Sequence, residues 1–296
     1  MSAVGIDIGG TKIAGALVDS HGQVLRELRV PTPAKDSAAL TQAVLELIQE
    51  LSSGENVIGA GVAAAGFIDA EQSTVFYAPN ISWRNEPLKA NLEAKLNFPV
   101  IIENDANAAG WAEFQHGAAK DVQHMVMLTI GTGVGGAVVV NNQLVRGGFG
   151  IAGELGHVRV VPNGRACGCG QFGCLEQYGS GTALLRAARE LADSTDPLGA
   201  GLRKIQAASN QLSGTEVYRA IQQGDPGALR LLRDLGEWLG QAIATITAVL
   251  DPQVVVIGGG VSEAADLLLD PIRAAYQSHL PARGFRPELK IRQAQF

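Results

Sequence analysis

The chain has 296 residues, 46% hydrophobic and 18% charged, with 37 glycines and a formal net charge of −6 from 23 basic and 29 acidic side chains. A chain of this length buries about 75% of its unfolded surface without staples and makes one large domain or two medium ones. No basic cluster or arm is present, which argues against nucleic acid as the main partner; "MSAVGIDIGG" is not a signal peptide and "VVVIGGGV" is too short to span a bilayer, so a cytoplasmic protein without a membrane partner is expected.

The first elements are strands. "AVGIDI" and "IAGALVD" flank the turn "GGTK", and "VLRELRVPT" follows, making a three-strand meander. Leu40, Val44, Leu47, Ile48 and Leu51 recur near period 3.6 and predict a helix over Ser37–Leu51. "VIGAGVAAAG" reads as a buried strand, "EPLKANLEAKL" as a helix, "PVIIEND" as a buried strand and "ANAAGWAEF" as the start of a further helix. The pattern then restarts with "HMVMLTI", the turn "GTGVGG", "AVVV" and "NNQLVRG". "IDIGGTKIAGALVD" and "LTIGTGVGGAVVVN" share one plan of strand, Gly/Thr turn and strand, a weak internal repeat. Helices follow near 180–193, 215–223 and 226–250, then the strand "QVVVIGGG", a helix near 263–280 and a last strand "ELKIRQA". Two facing copies of a meander-plus-crossover unit predict the α/β two-domain actin-like ATPase (ribonuclease H-like) fold with a cleft between domains, divided into residues 1–115 and 116–296.

Chemistry concentrates in a few segments. In Asp7–Lys12 a strand delivers Asp7 to a tight turn, Gly9 and Gly10, whose bare N–H groups can donate to phosphate oxygens. Asp7 is placed to hold Mg²⁺ through water, while Thr11 offers a hydroxyl and Lys12 a cation. The turn at 131–136, with Thr132 and Gly133, is its counterpart. Gly258–Val261, after a buried strand, reads either as a third loop whose helix start faces a nucleotide or as a plain strand–helix turn.

In "IIENDANAAG" a strand ends in Glu103, Asn104 and Asp105, the strand end where α/β folds bind ligands. Phosphoryl transfer asks little of a protein beyond positioning and charge stabilisation, so Asp105 is the candidate base and Asn104 a candidate sugar-hydroxyl ligand. A helix N-cap would use the same residue types; the neighbouring glycine loops favour the base.

All three cysteines lie in "GRACGCGQFGCLEQ", 164–177. In a reducing compartment such a cluster reads as a metal site rather than a disulfide framework. Cys167, Cys169 and Cys174 with His157 form a Cys₃His set that suits tetrahedral, structural zinc; an iron–sulfur cluster usually takes four cysteines. Glu154 and Glu176 bracket this loop, and two carboxylates with an imidazole can hydrogen-bond several hydroxyls of one small polyol. An open-site zinc hydrolase is disfavoured, because three thiolates and His157 leave no free position.

Taken together, "DIGGTK", "ENDAN", "GTGVGG", "GELGH" and "CGCGQFGCLE" resemble the ROK family of bacterial sugar kinases and sugar-responsive repressors, over nearly the whole chain and in the expected order. The resemblance implies Asp105 as catalytic base, with Asn104, Glu154, His157 and Glu176 on the sugar. It implies zinc on His157, Cys167, Cys169 and Cys174. Asp7, Gly9, Gly10, Thr11, Lys12, Thr132 and Gly133 would face the ATP phosphates and Mg²⁺, with Gly258 and Gly259 near the nucleoside. The sugar loop "AAAG", ending at Gly66, departs from the family's frequent G-x-P-G and, like "APNISWRNEPL" with Asn80, resembles the form in glucokinases of high-GC Gram-positive bacteria. Glucose is therefore the expected acceptor, ahead of N-acetylmannosamine, N-acetylglucosamine, mannose or fructose, and ATP the expected donor, ahead of polyphosphate. The repressors carry an N-terminal winged helix, for which a phosphate loop beginning at Asp7 leaves no room. Family members usually continue past "IRQAQF" with a last helix, and the resemblance implies a homodimer or homotetramer.

Overall fold

The computed structural model of the protein describes residues 1–209 and 211–296. β1 (Ser2–Ile8) alternates buried and exposed residues, the period of a strand with one face on a core. β2 (Lys12–Asp19) returns antiparallel to β1, and β3 (Val24–Pro31) pairs antiparallel with β2. α1 (Ser37–Ser52) starts where Asp36 Oδ1 accepts the Ala39 N–H at 3.0 Å, a cap of the favoured type. The apolar stripe expected for α1 is the face it buries, with Leu45 added. β4 (Val57–Ala64) and β8 (Val100–Asn104) complete a sheet of order β3-β2-β1-β4-β8, in which β4 runs parallel to β1 and β8 parallel to β4. Between them lie three short strands, β5 (Phe67–Ile68), β6 (Val75–Tyr77) and β7 (Arg84–Glu86), which form a small sheet of their own. α2 (Leu88–Glu93) is shorter than the eleven-residue helix read from the sequence, with Pro87 as its N-cap and Ala94 as its C-cap.

α3 (Asp105–Gln115) leads to the second half. There β9 (Met125–Ile130), β10 (Val134–Val140), β11 (Gln143–Leu144), β12 (Val254–Gly258) and β13 (Lys290–Gln293) form a sheet of order β11-β10-β9-β12-β13. The two five-stranded sheets repeat one plan: a central strand with an antiparallel hairpin partner on one side and parallel crossover strands on the other. This is the expected duplicated actin-like ATPase fold. α4 (Glu176–Gly179), α5 (Gly181–Asp193), α6 (Ala200–Ser209), α7 (Gly214–Gln222), α8 (Pro226–Leu250) and α9 (Asp266–His279) surround the second sheet. α8 buries Leu231, Leu235, Leu239, Ala242 and Ile246 in one stripe, the period of an amphipathic helix on a core. The helix expected from residue 263 is split into a 3₁₀ turn, Gly260–Ala264, and α9. Among the described residues no helix is long and apolar enough to cross a membrane.

Two compact units emerge, Met1–Ala109 with Arg146–Ala152, and Gly110–Val145 with Gly153–Phe296. The division falls inside α3 rather than at 115/116. Two contacts hold the later part of α3 in the second unit. Gly110 packs against Ala137, and the buried Glu113 accepts the N–H groups of Ala118, Gln295 and Phe296 at 2.7 Å each. The segment 146–152 belongs with the first unit because Arg146 Nε lies 2.8 Å from Glu103 Oε2 and Gly150 abuts the backbone of Ile68–Ala70.

Candidate functional site

The candidate residues fall into one set per unit. In the first unit, Asp7, Gly9, Gly10, Thr11, Lys12, Gly66, Asn80, Asn104 and Asp105 gather at the carboxyl ends of β1, β4 and β8. Sheet register puts them there: Asp7 pairs with Ala63 and Ala63 with Glu103, while Ile8, Ala64 and Asn104 form the next row. The β1–β2 turn is closed by Gly9 N–H on Lys12 O at 3.0 Å and braced by the Thr32 hydroxyl on Gly9 O at 2.7 Å. Gly10, Thr11 and Lys12 remain exposed, and the backbone N–H groups of Gly10 and Thr11, outside the strands, are open to an anion.

Asp105 is the first residue of α3. Burial pushes its carboxyl above the usual range, Asp7 adds to the rise, and the Ala106 N–H on Oδ1 at 2.9 Å opposes it. Asp7 is also raised by burial, with Lys12 pulling it back. A carboxylate raised by burial and by a neighbouring acid is tuned toward proton acceptance. The N-cap role belongs to Asn104 instead: its Oδ1 accepts the Asn107 N–H at 3.0 Å, and its Nδ2 donates to Gly66 O at 3.1 Å. One N–H of that amide remains for another acceptor. A Cβ on Gly66 would lie 2.6 Å from Tyr77 O, so only glycine lets the loop approach Ala78 this closely. Asn80 Cβ in turn faces Gly10.

In the sequence Glu103 is no more than a strand end; in the structure it is a hub. Its Oε1 accepts from Asn104 N at 3.0 Å and Asn107 Nδ2 at 3.1 Å; its Oε2 accepts from Arg146 Nε at 2.8 Å and Gln72 Nε2 at 3.1 Å. Neither Arg146 nor Gln72 lies in any motif, and their separation from Glu103 leaves no local signal.

In the second unit, Thr132, Gly133, Glu154, His157, Cys167, Cys169, Cys174, Glu176, Gly258 and Gly259 cluster about the ends of β9 and β12. The β9–β10 turn is closed by Gly131 N–H on Gly133 O at 3.0 Å, and Gly131 O accepts the Gly181 N–H at the start of α5. Gly259, at φ 83°, packs its α-carbon on the Ile130 backbone. Gly258 is buried, and a side chain there would meet Met127; its lack of a side chain serves packing.

The donor atoms of His157, Cys167, Cys169 and Cys174 all lie within 4.8 Å of one another. Cys167 Sγ is 3.7 Å from His157 Nδ1, and Cys169 Sγ 3.6 Å from Cys174 Sγ. Burial, with the neighbouring thiols, pushes the Cys174 thiol up to about 12; three thiolates this close need a cation among them. The Cys₃His donor set fits a four-coordinate zinc ion. Nδ1 of His157 faces the thiols and Nε2 faces Glu154 Oε2 at 3.8 Å. Glu176 joins the cluster to the turn: Oε1 lies 3.9 Å from Cys167 Sγ, and Oε2 accepts the Val134 N–H at 3.2 Å against the α-carbon of Gly133.

The chain belongs to the ROK family, whose model matches residues 3–296. It is 41% identical over 293 residues to the glucokinase of Streptomyces coelicolor, covering 99% of this chain and 92% of that protein. It is 38% identical over 296 residues to the glucokinase of Halalkalibacterium halodurans, covering 97% of this chain and 89% of that protein. Among solved structures, the ROK family glucokinase from Streptomyces griseus in complex with glucose and AMPPNP superposes with a TM-score of 0.88 at 41% identity, covering 100% of this chain and 95% of that one.

Proposed function

We propose that this chain is a glucokinase that transfers the γ-phosphoryl group of Mg·ATP to O6 of glucose. The observation that carries the reading is Asp105: a half-buried carboxylate at the end of β8, beside Asp7 and the glycine turn, whose pKa burial pushes up. Asp105 accepts the O6 proton as O6 bonds to the γ-phosphorus and the bond from that phosphorus to the β-phosphate bridging oxygen breaks. ADP leaves with the electron pair, and the protonated Asp105 returns its proton to solvent. The N–H groups of Gly10 and Thr11 in one turn and of Thr132 and Gly133 in the other, with Lys12, would donate to phosphate oxygens, Gly9 and Gly131 closing the turns, and Asp7 would hold Mg²⁺ through water; Gly258 and Gly259 would border the nucleoside.

Gly66, Asn80, the free N–H of Asn104, Glu154, Glu176 and Nε2 of His157 would receive the sugar. His157 Nδ1, Cys167, Cys169 and Cys174 would hold zinc, a closed structural ion that orders the loop and takes no part in the transfer. The reaction belongs in the cytoplasm, where ATP is supplied, in a homodimer or homotetramer without nucleic-acid or membrane partners.

The test is a coupled ADP-release assay with Mg·ATP against glucose, mannose, fructose, N-acetylglucosamine and N-acetylmannosamine. Strong turnover on glucose alone supports the reading. Preference for an N-acetyl sugar keeps the kinase chemistry and overturns the acceptor, and turnover only with polyphosphate overturns the donor. Gly133→Ala adds a methyl where the Glu176 carboxylate lies. Displacing a group this close to a reacting centre is costly, so KM for ATP and KM for glucose are expected to rise together, by about tenfold or more. Unchanged constants in steady-state kinetics would show that Glu176 and the turn are not coupled.

A further inference from the structure

The loop Ala78–Trp83 carries Asn80, and its shape is held from outside. No backbone hydrogen bond outside the regular elements joins residues 78–83 to one another among the described residues. Instead, Nη1 of Arg84 lies 2.8 Å from Ala78 O, 2.9 Å from Ile81 O and 2.6 Å from Trp83 O. Two N–H groups thus serve three carbonyls, drawing both ends and the middle of the loop to one point. The same guanidinium lies over the Tyr77 ring, Cζ 4.2 Å from its centroid, a cation–π contact that holds the group from which those N–H groups point. Nearby anchors are strong: Trp83 is fully buried with Nε1 on Thr41 Oγ1, and Glu86 accepts from Ser37, Thr41 and Asn91. Within this frame the Ser82 hydroxyl is buried with no partner, a cost that something must offset.

The loop so held is the strip that separates two candidate ligand positions of the first unit. At one end Ala78 presses on Gly66, whose carbonyl is tied to Asn104; further along, Asn80 meets Gly10 of the first glycine turn.

We infer that Arg84 is a positioning residue for the sugar acceptor: by gathering the carbonyls of Ala78, Ile81 and Trp83 it turns the loop so that Asn80 and Gly66 meet the hydroxyls. This inference rests on the kinase reading above. Arg84 itself touches neither substrate, and its loss acts through Asn80 and Gly66.

The experiment compares wild type, Arg84→Ala and Arg84→Lys in the full chain. Arg84→Ala is expected to raise KM for glucose about tenfold, the size of one lost charge-assisted hydrogen bond, with kcat and KM for ATP unchanged. Added guanidinium ion, at concentrations too low to unfold the chain, should bring that KM back down. Arg84→Lys keeps the N–H donors and loses the planar face, and should fall between; it also serves if the alanine variant does not fold. A glucose KM that stays at the wild-type value, or that rises in step with KM for ATP, overturns the inference. Calorimetric titration with glucose alone separates it from the kinase reading. Wild type that binds glucose without turnover, beside a variant that binds weakly, supports Arg84 while sinking the kinase. Wild type that neither binds nor turns over overturns both.

Discussion

Asp105→Asn is expected to lower kcat by about 10³-fold, inside the range that general base catalysis supplies, while glucose affinity by calorimetry stays near wild type. The amide keeps the side-chain oxygen that accepts the Ala106 N–H, so the start of α3 survives and only the proton acceptor is lost. The pH profile gives a second reading. Asp105 accepts a proton only when ionised, and burial with Asp7 nearby raises its pKa. The wild-type rate should therefore fall as pH drops through that raised value and level off above it. Asp7→Asn removes the like charge and should shift the limb to lower pH. The stability sign runs the other way. A carboxyl whose folded pKa lies above its unfolded value favours folding when protonated, and its ionised form weakens the fold at neutral pH. Asp105→Asn should thus melt no lower than wild type at pH 7, and a variant that loses both activity and melting temperature would remove the base assignment.

The second large effect belongs to the cysteine loop. Cys174→Ser is expected to abolish bound zinc, measured by native mass spectrometry, and to lower kcat/KM for glucose at least 100-fold, since even outer partners of a metal site cost about 10–100-fold when replaced. The loop from 164 to 174 has two isolated bridges, Arg159 with Cys174 and Ala166 with Phe172, and few buried side chains. An ion held by His157 Nδ1 and the three thiols would tie the imidazole, whose Nε2 faces Glu154, to this loop. A strong chelator should reproduce the loss in wild type, and restored zinc should reverse it. A Cys174→Ser chain that retains full turnover on glucose would show that the ion does not order the sugar site.

Much of this architecture is readable in the sequence because its signals are local. β1, β4, β8, β9 and β12 are short apolar runs ending in glycine or acid, and α1 and α8 carry stripes near period 3.6. The glycine turns, the "END" segment and the Cys/His set are likewise contiguous, and each lands at a strand end or in one loop. What the sequence hid is what depends on distant partners. β5 to β7 have two or three residues each, too few to show a period. α6 is short, with only Leu202 fully buried. The return of 146–152 to the first unit follows from the pairing of Arg146 with Glu103, 43 residues apart, and Arg84 looks like any surface arginine until the three carbonyls it holds are seen in space. The unit division within α3 was hidden for a related reason: a helix shared by two bodies has no break in its pattern.

The contact between Gly133 and Glu176 has a consequence for descent. Any side chain at 133 evicts the carboxylate, and any shorter residue at 176 strands the Val134 amide, so neither position can drift while the other stays. The loops at 63–66 and 78–83 lie in the first unit and outside this pair. Substitutions in those loops leave the pair untouched, so a lineage starting from this chain can vary them one at a time while 133 and 176 are inherited together.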